Sequence, residues 1–222
     1  MMGRYTRTTD HDRLVERFGA TVDRRIEPTY NLAPTDSTPV VTDAAPERFR
    51  WFRWGLPGDD GPIINARVET VAGRFPGAVG NRCLVPVDGF YEWPDDGPPR
   101  RVAFADDRPF AVAGIYDRVE RTVEQVGLDA FGGDDDPGPT TETVEAVAIL
   151  TTEPNDVVAP LHHRMAVVLP PDRERAWLDD DLDPAAVADP YPGDEMTAHA
   201  VDPAVGDPSV DRSGLLDADD GT

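Results

Sequence analysis

Short apolar segments, separated by proline, glycine and aspartate, run through most of the chain and are rich in β-branched and aromatic residues. This pattern is typical of strands, which are predicted at 48–56, 83–86, 89–93, 101–104, 110–118, 145–151 and 165–169. Helical spacing occurs at residues 10–18, where Asp10 is a plausible N-cap, and at 172–178, with a further short helix predicted at 184–188. Many short strands with few helices predict an α+β fold dominated by strands.

Three segments are predicted to lack regular structure. Residues 28–39 are proline-rich and are expected to be irregular. Residues 129–141 are rich in glycine, aspartate and proline, which favours a surface loop. Residues 204–222 are acidic with few large apolar side chains, so a disordered tail is expected there. A single domain is therefore predicted to span residues 1–203.

The charge of the chain is strongly one-sided. It contains 43 acidic and 21 basic residues, giving a formal net charge of −22, and every basic residue is arginine because the sequence has no lysine. Such an excess destabilises a compact state by self-repulsion unless salt screens it, and the Debye length falls to roughly 3 Å at 1 M. We interpret the composition as that of an extreme halophile's cytoplasmic protein, with an ordinary acidic protein as the alternative.

The acidic excess also limits how the chain could bind nucleic acid. Non-specific binding normally depends on a basic surface, which this composition does not provide. In concentrated salt, binding would depend on stacking, shape and paired arginine contacts instead. Any DNA site is therefore expected to be a local arginine cluster.

Cysteine content and hydropathy restrict the remaining classes of protein. Cys83 is the only cysteine, so an intramolecular disulfide or a zinc site with several cysteines cannot form. Its apolar, strand-like neighbours indicate a packing residue rather than a nucleophile. No apolar run approaches the ~20 residues of a membrane span, and no signal peptide opens the chain. A soluble, cytoplasmic protein is expected.

Three segments carry the candidate chemistry: residues 65–70, 82–93 and 161–165. Strand alternation would place Asn65, Arg67 and Glu69 on one face, which by itself is also typical of a solvated strand. Glu92 lies between two aromatic residues, and partial desolvation there would raise its pKa and suit general acid–base chemistry. The alternative is an edge glutamate that points outward.

Two adjacent histidines, His162 and His163, precede the last predicted strand. Within a strand their rings would face opposite sides, so only one should enter a common pocket. A metal site built from both histidines is therefore not expected, and no cofactor is expected either.

Together with Met1-Met2-Gly3-Arg4-Tyr5-Thr6 at the start, these segments resemble the SOS-response-associated peptidase family, whose members capture abasic sites in single-stranded DNA. The resemblance runs from Gly3 to about Leu178. It implies a compact, barrel-like α+β domain with flanking short helices, and an enzyme of the peptidase or abasic-site lyase type that processes its own N-terminus. The implied partner is single-stranded DNA containing abasic sites, bound by a monomer.

The resemblance also implies roles for individual residues. Asn65 would hold the reacting amine and the sugar, and Glu92 and His162 would move protons. Arg67 would contact DNA, and Arg164 would pair with a phosphate.

Further matches concern the walls of the cleft. Arg4 would grip a backbone phosphate, and Asn31 and Pro34 match the family's Tyr-Asn-x-Ala-Pro segment, which shapes the cleft. Trp54 is by default a core residue, and it or a neighbour is the candidate wedge against an unstacked base. His163 stands where the family has aspartate.

Position 2 departs from the family, which has a cysteine there. The family's α-amine condenses with the aldehyde of an opened abasic site, and the adjacent thiol closes a thiazolidine ring. The thioether of Met2 cannot close that ring, so a cross-link-deficient form is predicted. The alternatives are an imine-based abasic-site lyase and a catalytically silent module that binds single-stranded DNA. Met2 itself is compatible with an introduced substitution, with natural divergence or with a displaced start site.

Overall fold

A computed structural model describes residues 2–123 and 140–217, in which the strands form two sheets. The strands are β1 (Arg4–Arg7), β2 (Thr29–Leu32), β3 (Ser37–Thr42), β4 (Ala45–Trp54), β5 (Asn65–Arg67), β6 (Arg82–Val87), β7 (Gly89–Glu92), β8 (Arg100–Phe104), β9 (Phe110–Val123), β10 (Thr140–Thr152), β11 (Met165–Ala166), β12 (Val168–Leu169) and β13 (Met196–Ala200). Most of the predicted strands are present, although several are longer than predicted.

The larger sheet closes into a barrel. Its order β10-β4-β3-β6-β9 returns to its starting strand because β10 pairs with both β4 and β9. Successive residues of the barrel strands belong to different hydrophobic clusters, as Leu84 and Val85 do, which is the period-two alternation expected of strands.

The smaller sheet has the antiparallel order β13-β8-β7-β1-β2. Its Tyr5, Phe90 and Val102 share one buried cluster with Phe52 and Val112 of the barrel, so one face of this sheet packs on the barrel. The structure confirms the predicted α+β fold with a barrel-like core.

Helices are short in the described residues. Helix α1 (His11–Phe18) begins as predicted, because Asp10 Oδ1 accepts a hydrogen bond from the Arg13 amide at 3.1 Å, and it ends at Gly19, whose φ is 59°. The other elements are α2 (Val71–Arg74), α3 (Pro171–Leu178) and 3-10 turns at Pro184–Val187, Gly193–Glu195, Pro203–Gly206 and Ser213–Leu216. Within these residues no helix has the length and apolarity to cross a membrane.

The prediction that residues 28–39 are irregular is wrong, since β2 and the first half of β3 lie there. Pro39 is tolerated because β3 pairs only with β4 at that position, where Pro39 faces Trp51. The pairing of β3 with β6 begins only at Val41. A proline can therefore occupy a strand whose second side has no partner at that point.

The prediction of disorder is also wrong for residues 204–217. This carboxy-terminal segment contains two 3-10 turns, and its Val205 and Leu215 are fully buried against Tyr91 and Val201. A few apolar side chains suffice because each one meets an apolar partner on the small sheet. Residues 218–222 of the predicted tail and residues 129–139 of the predicted loop lie outside the described part of the chain, whereas Thr140 and Thr141 begin β10.

Candidate active site

The start of β1 lies against the segment predicted to carry chemistry. Asn65, the first residue of β5, donates a hydrogen bond from Nδ2 to the carbonyl oxygen of Met2 at 2.8 Å. Strand β5 is fixed in position because it pairs in parallel with β10, with Asn65 opposite Ile149. Asn65 Oδ1 is buried and accepts no hydrogen bond from any described residue. An acceptor is thus held beside the second residue of the chain.

Met2 brings no accessible nucleophile to this place. Its side chain is fully buried and belongs to the same apolar cluster as Tyr5, Phe90 and Val147. The thioether therefore acts as a packing group. Its position is consistent with the prediction that no ring-closing thiol is available at residue 2.

Glu92 ends β7, which pairs with β1 so that Arg4 faces Tyr91. Only 2% of Glu92 is exposed, so the alternative of an outward-pointing edge residue is wrong. Burial raises the pKa of Glu92, while the charge and hydrogen bonding of the chain's amino-terminal group lower it in part. The direction of the shift is as predicted, and a carboxyl group with a raised pKa suits proton donation.

His162 and His163 lie in a turn, where their rings stack with centroids 4.3 Å apart and planes inclined by 26°. The expectation that the two rings face opposite sides is therefore wrong, because it assumed a strand. The amide of Arg164 donates to His162 Nδ1 at 3.0 Å, and the carbonyl oxygen of Arg164 lies 3.2 Å from the same nitrogen. Burial lowers the pKa of His162, and the amino-terminal charge and His163 act in the same direction.

A groove beside these rings is lined on its other side by Trp93, Asp95 and Asp96. Trp93 is 39% exposed and is the one large apolar side chain exposed among the described residues. Sequence reasoning did not select it. Strand alternation could not have found it, because Tyr91, the other neighbour of the buried Glu92, is itself fully buried.

Arg164 is paired within the protein. It is 8% exposed, and its two terminal nitrogens donate to the two carboxylate oxygens of Glu69 at 2.7 and 2.9 Å. A third bond, of 2.6 Å, joins Nη2 to the carbonyl oxygen of Thr151. This pairing lowers the pKa of Glu69. Arg164 therefore orders the turn that holds His162, and its contact with a phosphate stays a prediction.

Arg67 is exposed and belongs to the segment 65–70, which also contains Asn65 and Glu69. It lies on β5 between the buried residues Ala66 and Val68, as the predicted alternation requires. Its guanidinium forms no hydrogen bond or ion pair with the part of the chain that the structure describes. The role of Arg67 in binding DNA stays a prediction, and its guanidinium is exposed to solvent.

Arg4 and Asn31 serve the fold. Arg4 donates to Asn31 Oδ1 at 3.0 Å and to the carbonyl oxygens of Val205 and Gly206, both at 3.1 Å. Asn31 is 2% exposed, and its Nδ2 donates to the carbonyl oxygen of Val210 at 2.8 Å. Both side chains hold the carboxy-terminal segment, and the Arg4 guanidinium is largely engaged, while the cleft roles expected for Arg4 and Asn31 stay predictions. Pro34 is half-buried in the turn after β2.

Trp54 cannot wedge against a base as the sequence suggested. It is fully buried, its Nε1 donates to the carbonyl oxygen of Ile64 at 3.0 Å, and its ring centroid lies 5.1 Å from that of Tyr5. Cys83 is also fully buried, and burial raises its pKa, which confirms it as a packing residue. Within residues 2–123 and 140–217 no group of three or more potential ligands is arranged to hold a metal ion.

The sequence model of the SOS response associated peptidase (SRAP) family matches residues 1–208. The chain belongs to this family. It is 31% identical over 246 residues to the abasic site processing protein YoaM of Bacillus subtilis, and the match covers 99% of each chain. It is also 28% identical over 188 residues to the abasic site processing protein HMCES of Gallus gallus, covering 70% of this chain and 55% of that protein.

Solved structures resemble this SRAP chain in fold. A protein from Bacteroides thetaiotaomicron superposes with a TM-score of 0.72 at 22% identity, covering 90% of this chain and 92% of the other. A protein from Bordetella bronchiseptica gives a TM-score of 0.69 at 24% identity, covering 90% and 99%. The SRAP match also includes residues 203–208, the part of the carboxy-terminal segment that Arg4 holds.

Proposed function

We propose that this chain processes abasic sites in single-stranded DNA at the cluster formed by Asn65, Glu92 and His162. The hydrogen bond from Asn65 Nδ2 to the Met2 carbonyl oxygen carries the proposal, because it brings the start of the chain to the SRAP motif. The buried Glu92 carboxyl and the neutral His162 ring supply groups that can give and take protons. The SRAP relatives, which are named abasic site processing proteins, support the same conclusion.

The DNA strand is proposed to run past Arg67 and Trp93. Arg67 offers an exposed guanidinium to a phosphate, and the exposed Trp93 ring offers a face on which a base next to the abasic site can stack. Stacking on one aromatic residue is worth about 1–3 kcal/mol per base and tolerates any sequence. A protein with a net charge of −22 needs such local contacts because its overall field repels DNA.

The proposed chemistry is reversible imine formation. A free α-amine attacks the aldehyde carbon of the opened sugar, the hydroxyl group formed there takes a proton from Glu92, and it leaves as water. Removal of a proton from the neighbouring sugar carbon can then expel the 3′-phosphate, which nicks the strand slowly. His162 is positioned to accept a proton in these steps. Met2 cannot convert the imine into a thiazolidine, because that ring needs a thiol on the same residue as the amine.

Trapping experiments test this chemistry. The N-terminus of the purified protein is first established by mass spectrometry, and the protein is then incubated with an oligonucleotide containing one abasic site. We expect a covalent adduct on a denaturing gel only when borohydride reduces the imine to an amine. A Met2→Cys variant with a free terminal cysteine should form a stable adduct without borohydride.

The variant Met2→Cys/Cys83→Ala is the matched control, because only the thiol at position 2 remains in it. It should retain the stable adduct. Failure of both cysteine variants to cross-link would contradict the proposed chemistry, and a stable adduct of the Met2 protein without reductant would contradict the account of position 2. Absence of any adduct, together with tight binding to abasic DNA, would identify the silent binding module instead.

A binding measurement tests the DNA path separately. We expect Arg67→Gln to weaken binding of abasic single-stranded DNA severalfold at fixed salt, measured by fluorescence anisotropy. Arg13→Gln makes the same change of charge at an exposed position on α1 and should bind like the wild type. Equal loss in the two variants would indicate a general charge effect and no specific contact.

A further inference from the structure

A second cationic cluster lies at the seam between the small sheet and the barrel. It consists of Arg7 at the end of β1, Trp51 in β4 and Arg24 in the segment between α1 and β2. The central guanidinium carbon of Arg24 lies 3.6 Å from the Trp51 ring centroid, and that of Arg7 lies 5.9 Å from it. Two cations therefore converge on one indole ring, although each would repel the other.

Several N–H donors of this cluster have no acceptor. Arg7 is 2% exposed and uses Nη2 to bind the carbonyl oxygen of Glu27 and the hydroxyl of Thr29. Its Nε and Nη1, as well as Trp51 Nε1, are buried and form no hydrogen bond among the described residues. Leaving such donors unpaired is costly, and the cost is greater for a charged group.

No carboxylate of the described residues lies within ion-pair distance of either guanidinium. Neither Arg7 nor Arg24 forms an ion pair within the described residues, although the chain contains 43 acidic residues and 21 arginines. Burial lowers the pKa of Arg7, and the more distant charges of Asp88 and Asp211 oppose this only in part. The cluster thus combines excess positive charge with free donors, which is the chemistry that recognises an oxyanion.

We propose that Arg7, Arg24 and Trp51 bind a phosphate-class oxyanion. The two unpaired nitrogens of Arg7 and the indole N–H supply hydrogen bonds, and the exposed Arg24 covers the anion from the solvent side. The ligand is either a phosphodiester group of a bound nucleic acid or free inorganic phosphate. This site shares no residue with the Asn65, Glu92 and His162 cluster, and the proposal does not depend on the proposed function.

Calorimetric titration with inorganic phosphate at constant ionic strength tests the site. The wild type should bind about one phosphate per chain. We expect Arg24→Gln to weaken binding at least tenfold, and Trp51→Phe, which keeps a ring but removes the N–H, to weaken it at least threefold. Arg25→Gln is the matched control, since it removes the neighbouring exposed arginine and should leave the affinity unchanged. Circular dichroism confirms that each variant is folded.

Competition with an undamaged single-stranded oligonucleotide separates the two sources. If the ligand is a phosphodiester, the oligonucleotide lowers the apparent phosphate affinity and Arg24→Gln weakens DNA binding. If it is the free anion, the oligonucleotide has no effect, and phosphate raises the Tm of the wild type but not that of Arg24→Gln. The absence of saturable phosphate binding, unchanged binding in Arg24→Gln or an equal loss in Arg25→Gln would overturn the proposal.

Discussion

Replacing Leu215 by alanine tests whether the carboxy-terminal segment is part of the fold. Leu215 is fully buried in a small cluster with Tyr91, Val201 and Val205, which joins this segment to β7 and to the end of β13. The same segment accepts the hydrogen bonds of Arg4 and Asn31. If this segment no longer packs on the small sheet, the region in which β1 begins should therefore also be weakened.

The size of the effect follows from the burial. Buried Leu→Ala substitutions cost about 2–5 kcal/mol, depending on how well the surroundings close the cavity. The cluster around Leu215 has four fully buried side chains and lies near the end of the chain, where the backbone can relax. We therefore expect the lower part of that range, about 2–3 kcal/mol. For a chain of this size, this corresponds to a fall in Tm of about 4–12 °C.

Urea unfolding at fixed salt, followed by circular dichroism, measures this change. Leu216→Ala removes the same atoms at the next position, which is only half-buried, and should cost less than about 1 kcal/mol. Near-identical losses, both below about 0.5 kcal/mol, would refute the reasoning, because that is the usual range for surface substitutions. The segment would then behave as the disordered tail that its composition suggested.

Three further outcomes are expected. In Glu69→Gln, stability should fall by less than about 1 kcal/mol, because solvent screens the exposed Glu69 side chain. The difference in unfolding free energy between wild type and variant should have its full size above the unfolded carboxyl pKa of about 4.3. It should vanish as the pH falls through the lowered pKa of Glu69 in the folded protein. Thermal unfolding at several pH values measures this difference. In Glu92→Gln, borohydride trapping should slow, and the loss of rate as pH rises through the raised pKa of Glu92 should be absent. The thiol of Cys83 should react with Ellman's reagent only after unfolding, with Cys83→Ala as the blank.

Each of these outcomes has a clear opposite. An acid-independent stability difference in Glu69→Gln would mean that the pair with Arg164 does not lower the pKa of Glu69. An unchanged pH profile in Glu92→Gln would assign the proton donor to another group. Rapid labelling of Cys83 in the native protein would show that its strand opens readily.

Local features of the sequence determined much of this protein. Alternation and β-branched composition predicted most barrel strands and the outward position of Arg67, and the cap at Asp10 predicted α1. These signals succeed because burial of one face of a strand, or satisfaction of the first turn of a helix, involves residues close in sequence. The aromatic neighbours of Glu92 predicted its burial for the same reason.

Tertiary structure alone decided which polar groups are free. Arg164 and Glu69 are 95 positions apart, and Arg4 and Val205 are 201 apart, so no local pattern could show that these arginines are engaged within the protein. The packing of Leu215 likewise depends on a distant partner, because Tyr91 of β7 belongs to the same buried cluster. A charged side chain binds a ligand or the protein according to which acceptor the fold places within about 3 Å of it, and periodicity along the chain contains no such distance.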